Sequence, residues 1–402
     1  MSLTGRAKRR RQAHPSGVGA IVCGGCYLGL GIVRSLGHAG VPVCVIDDER
    51  SIARFSRYTT HSVRVPDLRD EEQIVDTVLR VGDELGLQGW VLFPTREEMV
   101  AAFARHRDVL APRFRIPTPP WSTVQWAWDK RKTYRLADEL GIPIPKTWYP
   151  RTLADLAEID GEPPFALKPA IKEHFIYATK AKAWRANDAE ELAARFTQAT
   201  AFVPEGEIMV QEIVPGDGRQ QFAFCAFFKE GESVGSMVAR RRRQHPPEFG
   251  RASTLVETVE IPLLEELSER FLRAIDCYGL VEVEYKLDPR DDRYKLLDVN
   301  LRAWGYHTLG PRAGVDFPYM VFADQVGEQV EPRRAEPGIR WIRLVTDVPT
   351  GAVEIAGRRV NWRAYLRSLK GLHVEAVFSR EDPLPGLVEV ALIPYLYVRR
   401  GF

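Results

Sequence analysis

Short apolar runs closed by turn signals open the chain. VGAIVC (18–23) and VPVCVID (41–47) have the continuous apolar character of parallel strands buried on both faces, and the glycine-rich GGCYLGLG and helix-like IVRSLGHAG lie between them. The 3.6-residue period of EEQIVDTVLRVGDELG (71–86) and the apolar GWVLFP (89–94) continue this βαβ pattern. A loop-like stretch, APRFRIPTPPW, ends it. DKRKTYRLADELG (129–141) then predicts a helix, PFALKPA (164–170) a strand, and IYATKAKAWRA (176–186), which alternates, a second strand. DAEELAARFTQAT predicts a helix and GEIMVQEIVPG (206–216) a strand that stops in a turn. GRQQFAFCAFFKEG and ESVGSMVARRRR predict an antiparallel pair, followed by the amphipathic helix LLEELSERFLRAIDCYG.

The stretch after that helix carries the most information. In GLVEVEYKLDPRDDRYKLLDVNLRAWG (279–305), Val281, Val283, Tyr285 and Leu287 alternate with Glu282, Glu284 and Lys286, DPRDD turns the chain, and Tyr294 to Asn300 returns as a second strand. Period two puts Asp298, Asn300 and Arg302 on one side, so that Glu284, Asp298 and Asn300 converge across one hairpin. Carboxylate and amide oxygens are what Mg²⁺ takes, usually alongside substrate phosphates. A hairpin with a merely solvated charged face would show the same alternation.

Composition narrows the function classes. The chain has 402 residues, 45% hydrophobic and 27% charged, which suits a globular protein of two or three domains. A net charge of +2 gives no field that argues for nucleic acid or membrane. No apolar run is long enough to span a bilayer, and the basic start MSLTGRAKRRRQAHPSG lacks the apolar core of a secretory signal. It reads as a flexible tail over 1–16, and a cytoplasmic location is expected. The five cysteines, with one C-x-x-C at Cys23 and Cys26 but no second ligand pair, read as reduced thiols.

Several residues become chemical candidates once taken together. Lys168 ends an apolar strand and Lys130 starts a helix; each alone is an ordinary surface lysine, but with an acidic hairpin downstream they suggest a polyphosphate clamp. The strand stopping at Pro215-Gly216 leaves backbone groups for an adenine edge, with Gln211 or Glu212 placed to accept from the exocyclic amine and Asp217 to bond ribose hydroxyls; an ordinary strand end reads the same way. Arg240 to Arg243 concentrate positive charge, Arg240 and Arg242 on one face of a strand, Arg241 and Arg243 on the other. One or two of them, Arg242 foremost, are expected at a phosphate or a carboxylate substrate. Trp304, Tyr306 and His307 either line an acceptor pocket or pack in the core. A dehydrogenase using GGCYLGLG and Asp47 is the first alternative, although glycines 24, 25, 29 and 31 fit G-x-G-x-x-G poorly and that reading leaves the lysines and the hairpin unused.

The order of these elements resembles the ATP-grasp superfamily over roughly residues 18–330, and details such as FPTREE, ALKPA, VQEIVPGD and DVNLRAWG resemble its carboxylate–amine ligase branch that includes D-aspartate ligase. The resemblance implies an α/β fold: a parallel-sheet pre-ATP-grasp domain (17–118), two α+β ATP-grasp lobes (119–330, lid lobe about 146–212) and a small α+β section (331–402). It implies ATP and Mg²⁺ as cofactors, Lys130 and Lys168 on the phosphates, and Gln211, Glu212, Ile213 and Val214 as the adenine hinge. It implies Glu284, Asp298 and Asn300 on the metal, and Arg302 facing an acyl phosphate. The loop after the Lys-Pro strand lacks the glycines common in the superfamily, so Lys172, His174, Thr179 or Lys180 is expected to supply donors instead. The implied activity is ADP-forming ligation of a small-molecule carboxylate to an amine, with no nucleic acid or membrane partner; a homodimer is compatible with the sequence. A non-catalytic ATP sensor is the second alternative.

Overall fold

The computed structural model describes residues 13–400 apart from 205, 248 and 251, and not the side chains of His174 or residues 397–400; Lys8 to Arg11 of the basic tail lie outside the described residues. Three sheets organise the chain. The first is parallel: β1 (Ala20–Cys23), β2 (Val43–Asp47), β3 (Thr59–Arg64) and β4 (Val91–Pro94), in the order β3-β2-β1-β4. β1, β2 and β4 are buried throughout, as their unbroken apolar runs require. The glycine turn after β1 is filled by the protein itself: Gly24 has φ +95, and a Cβ there would stand 2.0 Å from Thr95 Oγ1. Asp47 accepts from the backbone N–H of Gly25 at 2.8 Å. This packing accounts for the glycine at 24 without a dinucleotide.

The second sheet is antiparallel, β5 (Thr147–Trp148), β6 (Phe165–Pro169), β7 (Trp184–Ala186) and β8 (Ile208–Glu212), ordered β5-β8-β6-β7. Here one expectation is corrected. IYATKAKAWRA does not run as a strand: Lys172–Thr179 is a helix, Lys180 ends it in the left-handed region at φ 57, and β7 alone is extended. Phe175 is fully buried against Trp184, and this pair explains why the helical period prevails over the alternation.

The third sheet has eight strands. β9 (Gln221–Lys229), β10 (Glu232–His245), β11 (Ala252–Val259), β12 (Gly279–Asp288) and β13 (Arg293–Asn300) are joined by β14 (Arg333–Arg334), β15 (Arg340–Ile342) and β16 (Val374–Glu375) in the order β13-β12-β9-β10-β11-β15-β16, with β14 on β10. The last section of the chain thus extends the same sheet. One sheet face, through Phe222, Phe224 and Val238, packs on helices that include Lys130–Glu139 and Pro262–Ala274. The other, through Ala223, Cys225 and Met237, packs toward β1, β2 and the helix Tyr27–His38. Trp304 and His307 belong to this second core: Trp304 is buried against Phe317 at 4.8 Å, and His307 bonds the backbone carbonyl of Leu28, burial pushing its pKa down to about 4. They pack; they do not line a pocket.

Candidate functional site

Between the second and third sheets lies a cavity of about 720 Å³. β6 contributes Lys168 and β8 contributes Gln211 and Glu212, followed by Ile213 and Val214; β12 contributes Glu284 and Lys286, β13 contributes Asp298, and β10 its arginines. Lys130 enters at the start of its helix, whose N-cap Asp129 accepts from the Arg131 N–H at 3.0 Å. The hairpin register sets Glu284 directly opposite Asp298 through a register shift between Glu284 and Tyr285 that passes over Leu297.

Charge neutralisation runs through the whole site. Lys130 donates to Asp298, and Lys168 donates to the Tyr134 hydroxyl and stands over that ring at 4.8 Å. Burial pushes the Lys168 pKa down to about 8, against the pull of Asp298 and Glu284. Burial would raise Asp298, but Lys130 and Lys172 outweigh it and hold the carboxyl well below the usual range. Lys182 also lines the cavity, and burial pushes its pKa down. A cavity that keeps desolvated ammonium groups at one end awaits an anion.

Behind the cavity wall lies a second, buried layer. Arg302 Nε stands 2.7 Å from Glu97, and Lys172 stands 3.1 Å both from Glu97 and from the side-chain oxygen of Asn300. Asn300 donates to Glu282 at 3.3 Å, which also accepts from Tyr306 at 2.8 Å. Burial, with Glu284 nearby, pushes Glu282 up to about 7. Asn300 and Arg302 are not among the cavity's lining residues; this second layer joins them to it through Lys172. Glu97, Glu282 and Lys182 carry no site role in the sequence reading. Glu282 shares strand parity with Glu284 and was open to that inference; nothing in PTREE signals that Glu97 meets Arg302.

Other expected residues fall differently. Arg241, not Arg242, stands beside the hairpin carboxylates, 3.4 Å from Glu284. Arg242 reaches the cavity wall but is paired at 3.0 Å with Glu257, and Arg243 is buried on Asp347. A register shift in β10 between Arg241 and Arg243 breaks the simple alternation on which the expectation rested. Lys180 is not among the lining residues, whereas Lys172 and Lys182 are. The Glu212 carboxylate is taken by Arg290, Lys295 and the Lys146 N–H, and its backbone N–H donates to the Lys146 carbonyl at 2.9 Å; Gln211 donates to Thr147. Val214 O accepts from Lys286 at 2.7 Å. Asp217 is bonded by the side chain of Arg219 at 2.8 and 2.6 Å.

The donor set fits a hard divalent cation. Among the described residues no cluster of three or more His, Cys, Asp or Glu forms a self-contained metal site. Glu284, Asp298 and Asn300 offer two carboxylates and an amide, each now facing a cation from Arg241, Lys130 or Lys172, and phosphate oxygens would complete an octahedral set.

Residues 207–346 match a family model described as ATP-grasp in the biosynthetic pathway with Ter operon. The chain is 23% identical over 288 residues to a D-aspartate ligase of Enterococcus faecium, covering 68% of each sequence. Its fold resembles the L-amino acid ligase from Bacillus licheniformis, with a TM-score of 0.61, 17% identity, and 80% of this chain and 78% of that one covered. It also resembles the ADP complex of N5-carboxyaminoimidazole synthetase from Staphylococcus aureus, with a TM-score of 0.62, 14% identity and 81% of each chain covered.

Proposed function

We propose that this chain, which carries an ATP-grasp domain, is an ATP-dependent, ADP-forming ligase that joins a small-molecule carboxylate to an amine through an acyl phosphate. The observation that carries the reading is the convergence, in one cavity, of Lys130 and Lys168 with Glu284 and Asp298. The names of the relatives, D-aspartate ligase and L-amino acid ligase, support amino acids as the substrate class.

The residues divide the work. The adenine lies against Gln211 to Val214, where Ile213 and Val214 extend past the paired strand, and Lys130 and Lys168 hold the phosphates as desolvated point charges. Glu284, Asp298 and Asn300 would hold Mg²⁺, which neutralises phosphate charge when bound. Lys130 and Arg241, paired with Asp298 and Glu284 in the same cavity, would be free to meet the phosphates once those carboxylates hold the metal. Arg241 faces the transferring phosphoryl group and the acyl phosphate that the substrate carboxylate forms by attack on the γ-phosphorus, with ADP leaving, and Arg302, behind the wall on Glu97, would reach them by exchanging that partner. The amine then attacks the acyl carbon and phosphate leaves. The protein supplies position and charge, and no nucleophilic side chain is needed. A screen of ADP release over pairs of amino acids and other carboxylates tests the reading. Release that requires Mg²⁺ and both partners supports it, and release indifferent to every carboxylate contradicts it.

A further inference from the structure

The cavity has a wall that the clamp does not explain. Glu354, Arg359, Val360, Ala364 and Ser368 line it beside Gly216 to Arg219, and all five lie beyond residue 346, where the family match ends. They come from two helices, Leu344–Ala356 and Trp362–Ser368, and the turn between them. These helices are fixed to β10. Asp347, fully buried, accepts from Arg243 Nε and Nη2 at 2.9 Å each, from Thr254 at 2.8 Å and from Tyr365 at 3.1 Å. Glu354 lies seven residues after Asp347, two turns on and on the same helix face, about 10 Å along the axis. The anchor at Asp347 therefore aims Glu354 at the cavity.

Glu354 arrives there with an unmet need. Its Oε2 is buried and has no hydrogen-bond partner among the described residues. The nearest cations are occupied, Arg243 on Asp347 and Arg219 on Asp217. Burial raises the Glu354 pKa, and an incoming donor would relieve that. Asp217, expected at the ribose, already accepts from the Arg219 backbone N–H at 2.8 Å and from its guanidinium, whereas the Glu354 Oε2 has no such partner. A nucleotide whose adenine meets the chain at 211–214 brings its ribose to the next residues, where Glu354 stands. The phosphates point the other way, toward Lys130 and Asp298.

We propose that the C-terminal helices complete the nucleotide cavity and that Glu354 accepts a hydrogen bond from a ribose hydroxyl. This rests on the nucleotide reading above. It assigns to the last section a part in selecting ribonucleotides, and it makes Glu354 a binding residue outside the matched family segment.

The test is calorimetric affinity for Mg-ATP, 2′-deoxy-ATP and 3′-deoxy-ATP with the full chain, Glu354→Ala and Glu354→Gln, with Lys146→Ala as an exposed control. The wild type should bind ATP about tenfold more tightly than the analogue that lacks the contacted hydroxyl, as a hydrogen bond to a charged group implies. Glu354→Ala should lose that discrimination and bind that analogue as the wild type does. Glu354→Gln, which keeps an acceptor and the side-chain volume, should discriminate less than the wild type and more than the alanine variant. Full discrimination retained by Glu354→Ala, or none in the wild type, overturns the proposal while leaving the ligase reading in place. Failure of the wild type to bind ATP overturns the nucleotide reading and this inference with it.

Discussion

Lys168 and Arg302 answer different questions about the same site. Lys168 stands in the cavity wall with its ammonium already pushed down to about 8 by burial. If its charge holds phosphate in the ground state, as proposed, Lys168→Ala should weaken Mg-ATP binding by about 2 kcal/mol. Lys146→Ala, whose exposed lysine pairs with Asp160, should change nothing; equal affinities of the two variants would reduce Lys168 to a packing residue. The sign of the pH effect follows from the lowered pKa. The free protein loses the Lys168 proton as pH rises through about 8, so ATP affinity falls above that pH. Lys168→Arg, which keeps its charge, should flatten the slope between pH 7 and 9. Arg302 is held back from the cavity by Glu97. Its contact with the phosphoryl group should strengthen as charge develops, so Arg302→Lys should keep ATP affinity within about twofold yet lose most turnover, because a point charge does not reproduce a bidentate fork. Equal losses in affinity and turnover would make it a ground-state ligand.

At the scale of elements, the proposed chemistry rests on the hairpin β12–β13. It places Glu284 opposite Asp298, and Asn300 opposite Glu282. Asp298→Asn with Asn300→Ala should abolish magnesium-dependent ADP release while circular dichroism shows the fold intact; wild-type turnover in that double variant would remove the metal assignment. The alternation of this hairpin was legible, but the register shift beside Glu284 that sets it opposite Asp298 was not. β10 was less legible, since a bulge is a local register change that composition does not announce, and Arg241 rather than Arg242 stands beside Glu284. The helix Lys172–Thr179 was misread because YATKAKAW alternates, while the burial of Phe175 that decides the matter is tertiary. Glu97 shows the limit most plainly. It is about 200 residues from Arg302 in sequence and 2.7 Å away in space.

At the scale of the molecule, the last section is part of the central sheet and of the cavity rather than an appendage. Arg243 and Asp347 tie it down, buried and doubly bonded. Arg243→Ala would leave Asp347 with two hydroxyl donors and no cation, which should destabilise the fold by about 3–5 kcal/mol in urea unfolding; a loss under about 1 kcal/mol would show the section only loosely coupled to the rest. In the proposed reaction the protein activates a carboxylate with ATP before an amine arrives. The direct measurement is the fate of carboxylate oxygen. A panel of ¹⁸O-carboxylate-labelled amino acids is incubated with Mg-ATP and an amine, and the released phosphate is weighed by mass spectrometry. Transfer of one ¹⁸O into phosphate, in step with ADP and abolished in Arg302→Lys, is the predicted result. ADP formed with unlabelled phosphate while the labelled carboxylate is consumed would contradict an acyl phosphate, and with it this account of the site.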